Sequence, residues 1–144
     1  MLFGIDPNTT PDLLACLAQM GHRDELAVAD TNYQAVSATA VCPHSSVIQY
    51  PGQDTPSVID IITEMMPIGS FHDYAARRMQ VGDAPDEMNG AHTSVWDILN
   101  ARRPEGAAPS SIPRQEHCNQ SHAAMPSCNA AKPAPLAAIS SATV

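Results

Sequence analysis

The stretch Glu25-Leu26-Ala27-Val28-Ala29-Asp30 indicates the fold class, because it is a short apolar run bounded by two acidic residues. Such a run is typical of a strand that is buried on both faces of a sheet. A helix signal precedes it: Thr10 can cap, Pro11 suits the first helical position, and apolar residues follow at helical spacing until Gly21. A helix that leads into a buried strand is how an α/β domain begins.

The alternation of helix and strand continues downstream. Residues 46–50 predict a second strand, and Thr55-Pro56 repeats the cap-plus-proline signal before a broad apolar helix face that ends at Pro67. Residues 78–81 predict a short strand, and residues 83–102 predict a helix with one apolar side. We therefore expect a single α/β sandwich domain.

Composition and charge exclude several classes of protein. The chain of 144 residues has a formal net charge of −8 and no basic stripe, which argues against a nucleic-acid partner. No apolar run of about eighteen residues occurs, so no membrane span is expected. The start lacks a basic segment and carries Asp6, so we expect no signal peptide and a cytoplasmic location. The four cysteines show no C-x-x-C spacing and are expected to be free thiols.

The segment Met20-Gly21-His22-Arg23-Asp24-Glu25, with Asp30 five residues further on, resembles the signature of the RbsD/FucU family of sugar mutarotases. The opening residues 1–5, the helix that starts at Thr10-Pro11, residues 76–81 and residues 95–100 match the same family in the same order. The resemblance covers about the first 114 residues.

The resemblance implies an α/β fold, a three-layer RbsD-like sandwich with a central mixed sheet, in a ring-like homo-oligomer. It also implies an enzyme without metal or cofactor that interconverts anomers or ring forms of a free monosaccharide; residues 83–100 favour fucose, with ribose and other aldoses open. The family's proton-donating histidine falls on His22, its substrate-binding aspartate on Asp30 and its sugar-contacting arginine on Arg114. The Phe-Tyr pair that follows this arginine in the family is not present here.

The residue types suit the chemistry. Anomerisation protonates the ring oxygen and removes a proton from the anomeric hydroxyl, and an imidazole with a pKa of about 6.5 serves both directions near neutrality. Asp30 at the end of a strand can accept sugar hydroxyls. The alternative roles are structural: His22 can cap the preceding helix, and Asp30 can cap the next turn.

The distance between these two candidates is a problem for a site within one chain. An extended strand of about five residues separates them by about 17 Å. Either the loop at residues 21–24 curls over the sheet, or the site is completed at a subunit boundary. We predict the second arrangement.

The last thirty residues depart from this pattern. Residues 115–144 match no family motif and lack aromatic residues, so we expect a domain at residues 1–114, a disordered tail at residues 115–144, and missing or disordered C-terminal strands. The family's terminal Gly-Glu strand and Tyr-Gly-Asn element are not present. The codons for residues 131–138, read one nucleotide earlier, can spell Gly-Glu-Thr-Arg-Pro-Phe-Gly-Cys. Our hypothesis is therefore a frameshift that begins near residues 114–117.

Two other functions remain open. The first is a zinc site built from His117, Cys118, His122 and Cys128, although their spacing matches no closed zinc motif. The second is a non-catalytic monosaccharide-binding homologue, inactivated by loss of the C-terminal sugar-binding element. A dinucleotide-dependent dehydrogenase is not indicated, since no G-x-G-x-x-G occurs.

Overall fold

The computed structural model describes residues 3–21, 24–33, 47–68, 74–82, 84–105, 107–123, 125–130 and 137–140, with side chains up to residue 120. Four helices and six strands lie within these ranges. The helices are α1 (Pro11–Gln19), α2 (Thr55–Met65), α3 (Gly90–Arg102) and α4 (Arg114–Ala123). The strands are β1 (Glu25–Asp30), β2 (Val47–Tyr50), β3 (Ala76–Met79), β4 (Ser110–Ile112), β5 (Met125–Ala130) and β6 (Ala137–Ser140).

The starts of the helices follow from local capping chemistry. Thr10 caps α1 as the sequence indicates, since its hydroxyl accepts the amide of Leu13 at 3.2 Å. The cap of α2 is Asp54, one residue before the expected Thr55, and its carboxylate accepts the amide of Ser57 at 3.1 Å.

Helix α3 begins at Gly90, seven residues later than the sequence pattern indicated. Asn89 and His92 form a capping box there, in which each side chain accepts the other residue's backbone amide. This reciprocal pair fixes the start of the helix at a point that apolar periodicity does not mark.

The six strands form one mixed sheet in the order β2-β5-β1-β6-β3-β4. β1, β2 and β5 pair in parallel, as do β3 and β4, whereas β6 pairs antiparallel with both β1 and β3. The predicted α/β class and central mixed sheet are confirmed. Because β6 is antiparallel to both of its neighbours, β1 and β3 run in the same direction and end at the same edge.

The expectation of missing or disordered C-terminal strands is wrong for two segments of the chain. β5 lies between β2 and β1, and β6 lies between β1 and β3, so both flanks of the buried strand β1 are occupied by residues after 124. The physical reason is backbone pairing: without these strands, β1 would expose two rows of amides and carbonyls, which a buried strand does not tolerate.

The pairing of β1 with β5 shifts register at one point. Leu26 pairs with Met125 and Val28 with Cys128, so three steps along β5 match two along β1. Pro126 falls inside this shift, and proline has no amide hydrogen to donate to a neighbouring strand. The extra residue therefore places the proline where the ladder is already interrupted.

The core lies between the sheet and helices α1, α2 and α3. The β1 side chains that face it are Leu26 and Val28, which are fully buried with Ile59 and Ile62 of α2 and Leu99 of α3. Arg102 joins α2 to α3, because its guanidinium lies 2.7 Å from the Asp60 carboxylate. Among the described helices, none combines the length and hydrophobicity needed to cross a bilayer.

Candidate functional site

Asp30 is the candidate site residue that the structure describes most fully. It ends β1, is half-buried, and its Oδ1 accepts the backbone amide of Asn32 at 2.9 Å. The backbone carbonyl of Asp30 accepts the amide of Tyr33 at 3.2 Å, which closes a turn. The capping role is therefore present, and the second carboxylate oxygen can still accept a hydroxyl from a ligand.

Arg114 lies at the same edge of the sheet as Asp30. It is the exposed first residue of α4 and follows β4, whose end is level with the end of β3. Two strands separate β1 from β4, so the ends of these strands are about 14 Å apart at the usual strand spacing. The structure thus brings the two residues to one edge of the sheet, on strands whose ends are two intervening strands apart.

His22 lies outside the described residues, and its proposed role stays a prediction. Its neighbours Gly21 and Asp24 form a closed turn: the Gly21 amide donates to the Asp24 carboxylate at 2.6 Å, and the Asp24 amide donates to the Gly21 carbonyl at 3.1 Å. Glu25 then begins β1 at the edge opposite to Asp30. The flanking residues therefore belong to the amino edge of the sheet.

A polar cluster that the sequence analysis did not single out lies at this amino edge. The Glu25 carboxylate accepts hydrogen bonds from the phenol of Tyr74 and from the amide of Gln120, the latter at 3.0 and 2.9 Å. The Gln120 amide also donates to the Tyr74 oxygen at 2.8 Å. Burial, followed by the hydrogen bond to Glu25, raises the pKa of Tyr74 to about 12.

Arg77 extends this cluster along the face covered by α4. Its guanidinium lies 3.7 Å from the centre of the Tyr74 ring and 3.8 Å from the carboxylate of Glu116. The Arg77 guanidinium over the ring and the Glu25 carboxylate bonded to the phenol hold Tyr74 in one orientation. No local sequence pattern indicates this, because the partners come from three separate segments: β1, the β3 region and α4.

Two histidines are buried in the described part of the chain. Burial lowers the pKa of His117 to about 4, and burial together with the charge of Arg78 lowers the pKa of His92 to about 4. Within the side chains the structure describes, no three histidine, cysteine or carboxylate groups cluster as metal ligands do. His122 and Cys128 of the zinc alternative lie outside those side chains.

Comparison with protein families gives an independent result. The model of the RbsD / FucU transport protein family matches residues 3–135. The match therefore runs past residue 114, where the motif-by-motif resemblance ended, and through α4 and β5.

Individual proteins of known name point the same way. A fucose mutarotase of Danio rerio is 36% identical over 98 residues, which is 67% of this chain and 61% of that protein. The chain thus spans about three-fifths of the length of the curated relatives that it matches.

Solved structures share the fold. The fucose mutarotase of Streptococcus pneumoniae in complex with L-fucose superposes with a TM-score of 0.83 at 24% identity, covering 99% of each chain. FucU of Bifidobacterium longum superposes with a TM-score of 0.86 at 22% identity, covering 98% of this chain and 99% of the other. At these identities the likeness establishes the fold alone.

Proposed function

Since the chain belongs to the RbsD/FucU family, we propose that it is a sugar mutarotase that interconverts anomers or ring forms of a free monosaccharide, with L-fucose as the first candidate. The observation that carries the proposal is the position of Asp30: a half-buried carboxylate at the carboxyl end of β1, at the edge where α/β sheets bind ligands. The name of the Danio rerio relative supports the choice of fucose.

The proposed chemistry needs one group that moves protons and others that hold the sugar. His22 donates a proton to the ring oxygen, the bond from C1 to that oxygen breaks, and the anomeric hydroxyl releases its proton to solvent water; after rotation about the C1–C2 bond of the open aldehyde the same transfers run in reverse and close the ring. Asp30 accepts sugar hydroxyls through the carboxylate oxygen that the turn leaves available. Arg114 donates to a sugar oxygen from the first residue of α4. The reaction is redox-neutral, and we propose that it proceeds without metal or cofactor.

We further propose that the site is completed in a homo-oligomer. His22 precedes the amino end of β1 and Asp30 ends it, so the extended strand between them is about 17 Å long. Arg114 follows a strand end that lies about 14 Å from that of β1. The separation along β1 exceeds the combined reach of the two side chains and one monosaccharide, which supports a site supplied by residues from two copies. A cytoplasmic location is part of the same proposal.

Exchange NMR of anomer interconversion tests the proposal. The full chain should accelerate exchange of free L-fucose, and His22→Asn should slow the catalysed exchange by about 10²–10⁴-fold, which is the usual contribution of a general acid–base group. His44→Asn is the matched control, since His44 lies outside every motif that matches the family. Unchanged exchange in a folded His22→Asn sample would contradict the proposal.

A second candidate is a non-catalytic monosaccharide-binding homologue. It is favoured by the C-terminal residues, which lack the Gly-Glu and Tyr-Gly-Asn elements and place Pro126 in an interior strand of the sheet. Saturation-transfer NMR separates the two functions in the same sample. Sugar binding by this chain without faster anomer exchange would identify it as a non-catalytic binding protein.

A further inference from the structure

A polar cavity lies at the edge of the sheet that β4 forms. It has a volume of about 300 Å³ and is formed by β3, the residues after β3, α3 and the start of β4, at the edge of the sheet. The side chains that give it chemical character are Arg78, Asp86, Trp96, Ser110 and Ser111. None of the proposed mutarotase residues lines it.

Arg78 is an unusual residue for such a cavity, because it is only 3% exposed. Its Nη2 donates to the Pro85 carbonyl at 2.6 Å, and its Nη1 lies 3.4 Å from the Met79 carbonyl. The Nε–H is buried and, within the described residues, has no acceptor. A buried donor of a charged group that lacks a partner is costly, so the cavity favours a ligand that brings an acceptor oxygen.

The other groups restrict the kind of ligand. The pKa of Arg78 is lowered by burial, and the negative charge of the Asp86 carboxylate partly opposes this shift. The cavity therefore contains charges of both signs. An anionic ligand would be attracted by Arg78 and repelled by Asp86. A cationic ligand would be attracted by Asp86 and repelled by Arg78. A neutral ligand with several hydroxyls can accept a hydrogen bond from the Arg78 guanidinium and donate one to the Asp86 carboxylate.

Trp96 adds a flat apolar surface to this polar set. Its half-buried indole has the Arg78 guanidinium 5.7 Å from the ring centre. The C–H face of a sugar ring packs on such a surface while its hydroxyls reach the surrounding polar groups. Ser110 can both donate to and accept from the same hydroxyls, whereas the Ser111 hydroxyl donates to the Pro85 carbonyl at 3.1 Å and offers its oxygen as an acceptor.

We propose that this cavity is a second monosaccharide-binding site, separate from the site at Asp30. Its volume is at the lower end of small-molecule pockets, which suits one sugar ring. Binding there requires no ring opening. The cavity can therefore bind a sugar independently of any mutarotase activity at Asp30.

The chain provides its own probe for this site, since Trp96 is its one tryptophan. Titration of the full chain with methyl α-L-fucopyranoside, which cannot anomerise, should change tryptophan emission saturably, with a Kd on the order of millimolar. Asp86→Ala should weaken this Kd at least tenfold. Asp97→Ala is the matched control: Asp97 is exposed beside Trp96 and does not line the cavity, so its loss should leave the Kd unchanged.

Three outcomes would overturn the proposal. One is emission that does not saturate with the glycoside, and another is an equal effect of Asp86→Ala and Asp97→Ala. The third is a tighter response to inorganic phosphate than to the glycoside, which would identify an anion site. Asp30→Asn distinguishes the two sites, because it should slow exchange of free L-fucose and leave the tryptophan emission response unchanged. The two proposals can therefore fail independently of each other.

Discussion

The phenol of Tyr74 donates a hydrogen bond to the carboxylate of Glu25, a residue 49 positions earlier in the chain. This bond joins the segment before β3 to the first residue of β1, directly after the Gly21–Asp24 turn. Gln120 of α4 completes the contact from the covering helix. Three segments are thereby fixed around the amino edge of the sheet, where the motif that contains His22 leads into β1.

We expect Tyr74→Phe to lower the free energy of unfolding by about 1–3 kcal/mol, because it removes a buried hydrogen bond to a charged group. Urea denaturation measures the change. A double-mutant cycle with Glu25→Ala isolates the pair, and additive effects of the two substitutions would show that the contact contributes nothing.

Stability should also depend on alkaline pH through Tyr74. Its pKa is raised to about 12 in the folded chain from an ordinary value of 10.0, first by burial and then by Glu25. The associated stability is present below pH 10 and is lost as the pH rises through 12, because the unfolded phenol loses its proton first. Urea midpoints measured between pH 9 and about 12 should fall less steeply for Tyr74→Phe than for the unsubstituted chain.

We expect the chain to lose stability in acid through its buried histidines. The pKa of His117 is lowered by burial to about 4, so its contribution is present above the unfolded value of 6.5 and is lost as the pH falls through 4. His117→Leu should reduce this loss. It should also raise stability at neutral pH by about 1 kcal/mol, because both ring nitrogens are buried without a partner in the described part of the chain.

His92→Leu provides the contrast for that experiment. The His92 ring accepts the backbone amide of Asn89 in the capping box of α3, so its loss should destabilise the chain at neutral pH. Equal urea midpoints for His117→Leu and His92→Leu at pH 7 would contradict this prediction, because they would show that the His92 hydrogen bond to Asn89 does not stabilise the chain.

Asp30→Asn should separate sugar binding from folding. The amide oxygen of asparagine can still accept the Asn32 amide, so the turn remains and the thermal midpoint should change little. The loss of a charged acceptor should raise the KM for exchange of L-fucose about tenfold or more. Asp12→Asn, an exposed aspartate in the first turn of α1, is the control and should leave the KM unchanged.

The frameshift hypothesis predicts the nucleotide sequence of codons 112–144. Read one nucleotide earlier, it should encode the Gly-Glu-Thr-Arg-Pro-Phe-Gly-Cys segment, with Tyr-Ala-Val-Val or a similar sequence at residues 125–128. A chain restored to that frame should unfold at a higher temperature, because Pro126 no longer interrupts β5 beside β1. It should also exchange L-fucose faster. A gene that cannot encode this frame would end the hypothesis.

The local sequence determined the element types of the first hundred residues. The apolar run at residues 25–30 became β1, and the cap-plus-proline pair at Thr10 and Pro11 starts α1. These signals are local, since a strand buried on both faces or a capped helix leaves its mark within a few residues. The composition of the tail was a poorer guide: residues 125–130 have little intrinsic strand character, yet they pair with β1 because its backbone groups require partners.

Tertiary structure alone decided which side chains meet. Gln120 reaches Glu25 across 95 residues, and Arg78 meets Trp96 and Asp86 in a cavity formed by two strands and a helix. Strand order produces these contacts: β5 and β6 insert on either side of β1, and periodicity along the chain records no strand order. The sequence by itself therefore determined the family, the element types and the candidates His22, Asp30 and Arg114. The placement of Asp30 and Arg114 on one edge, about 14 Å apart, depended on the sheet.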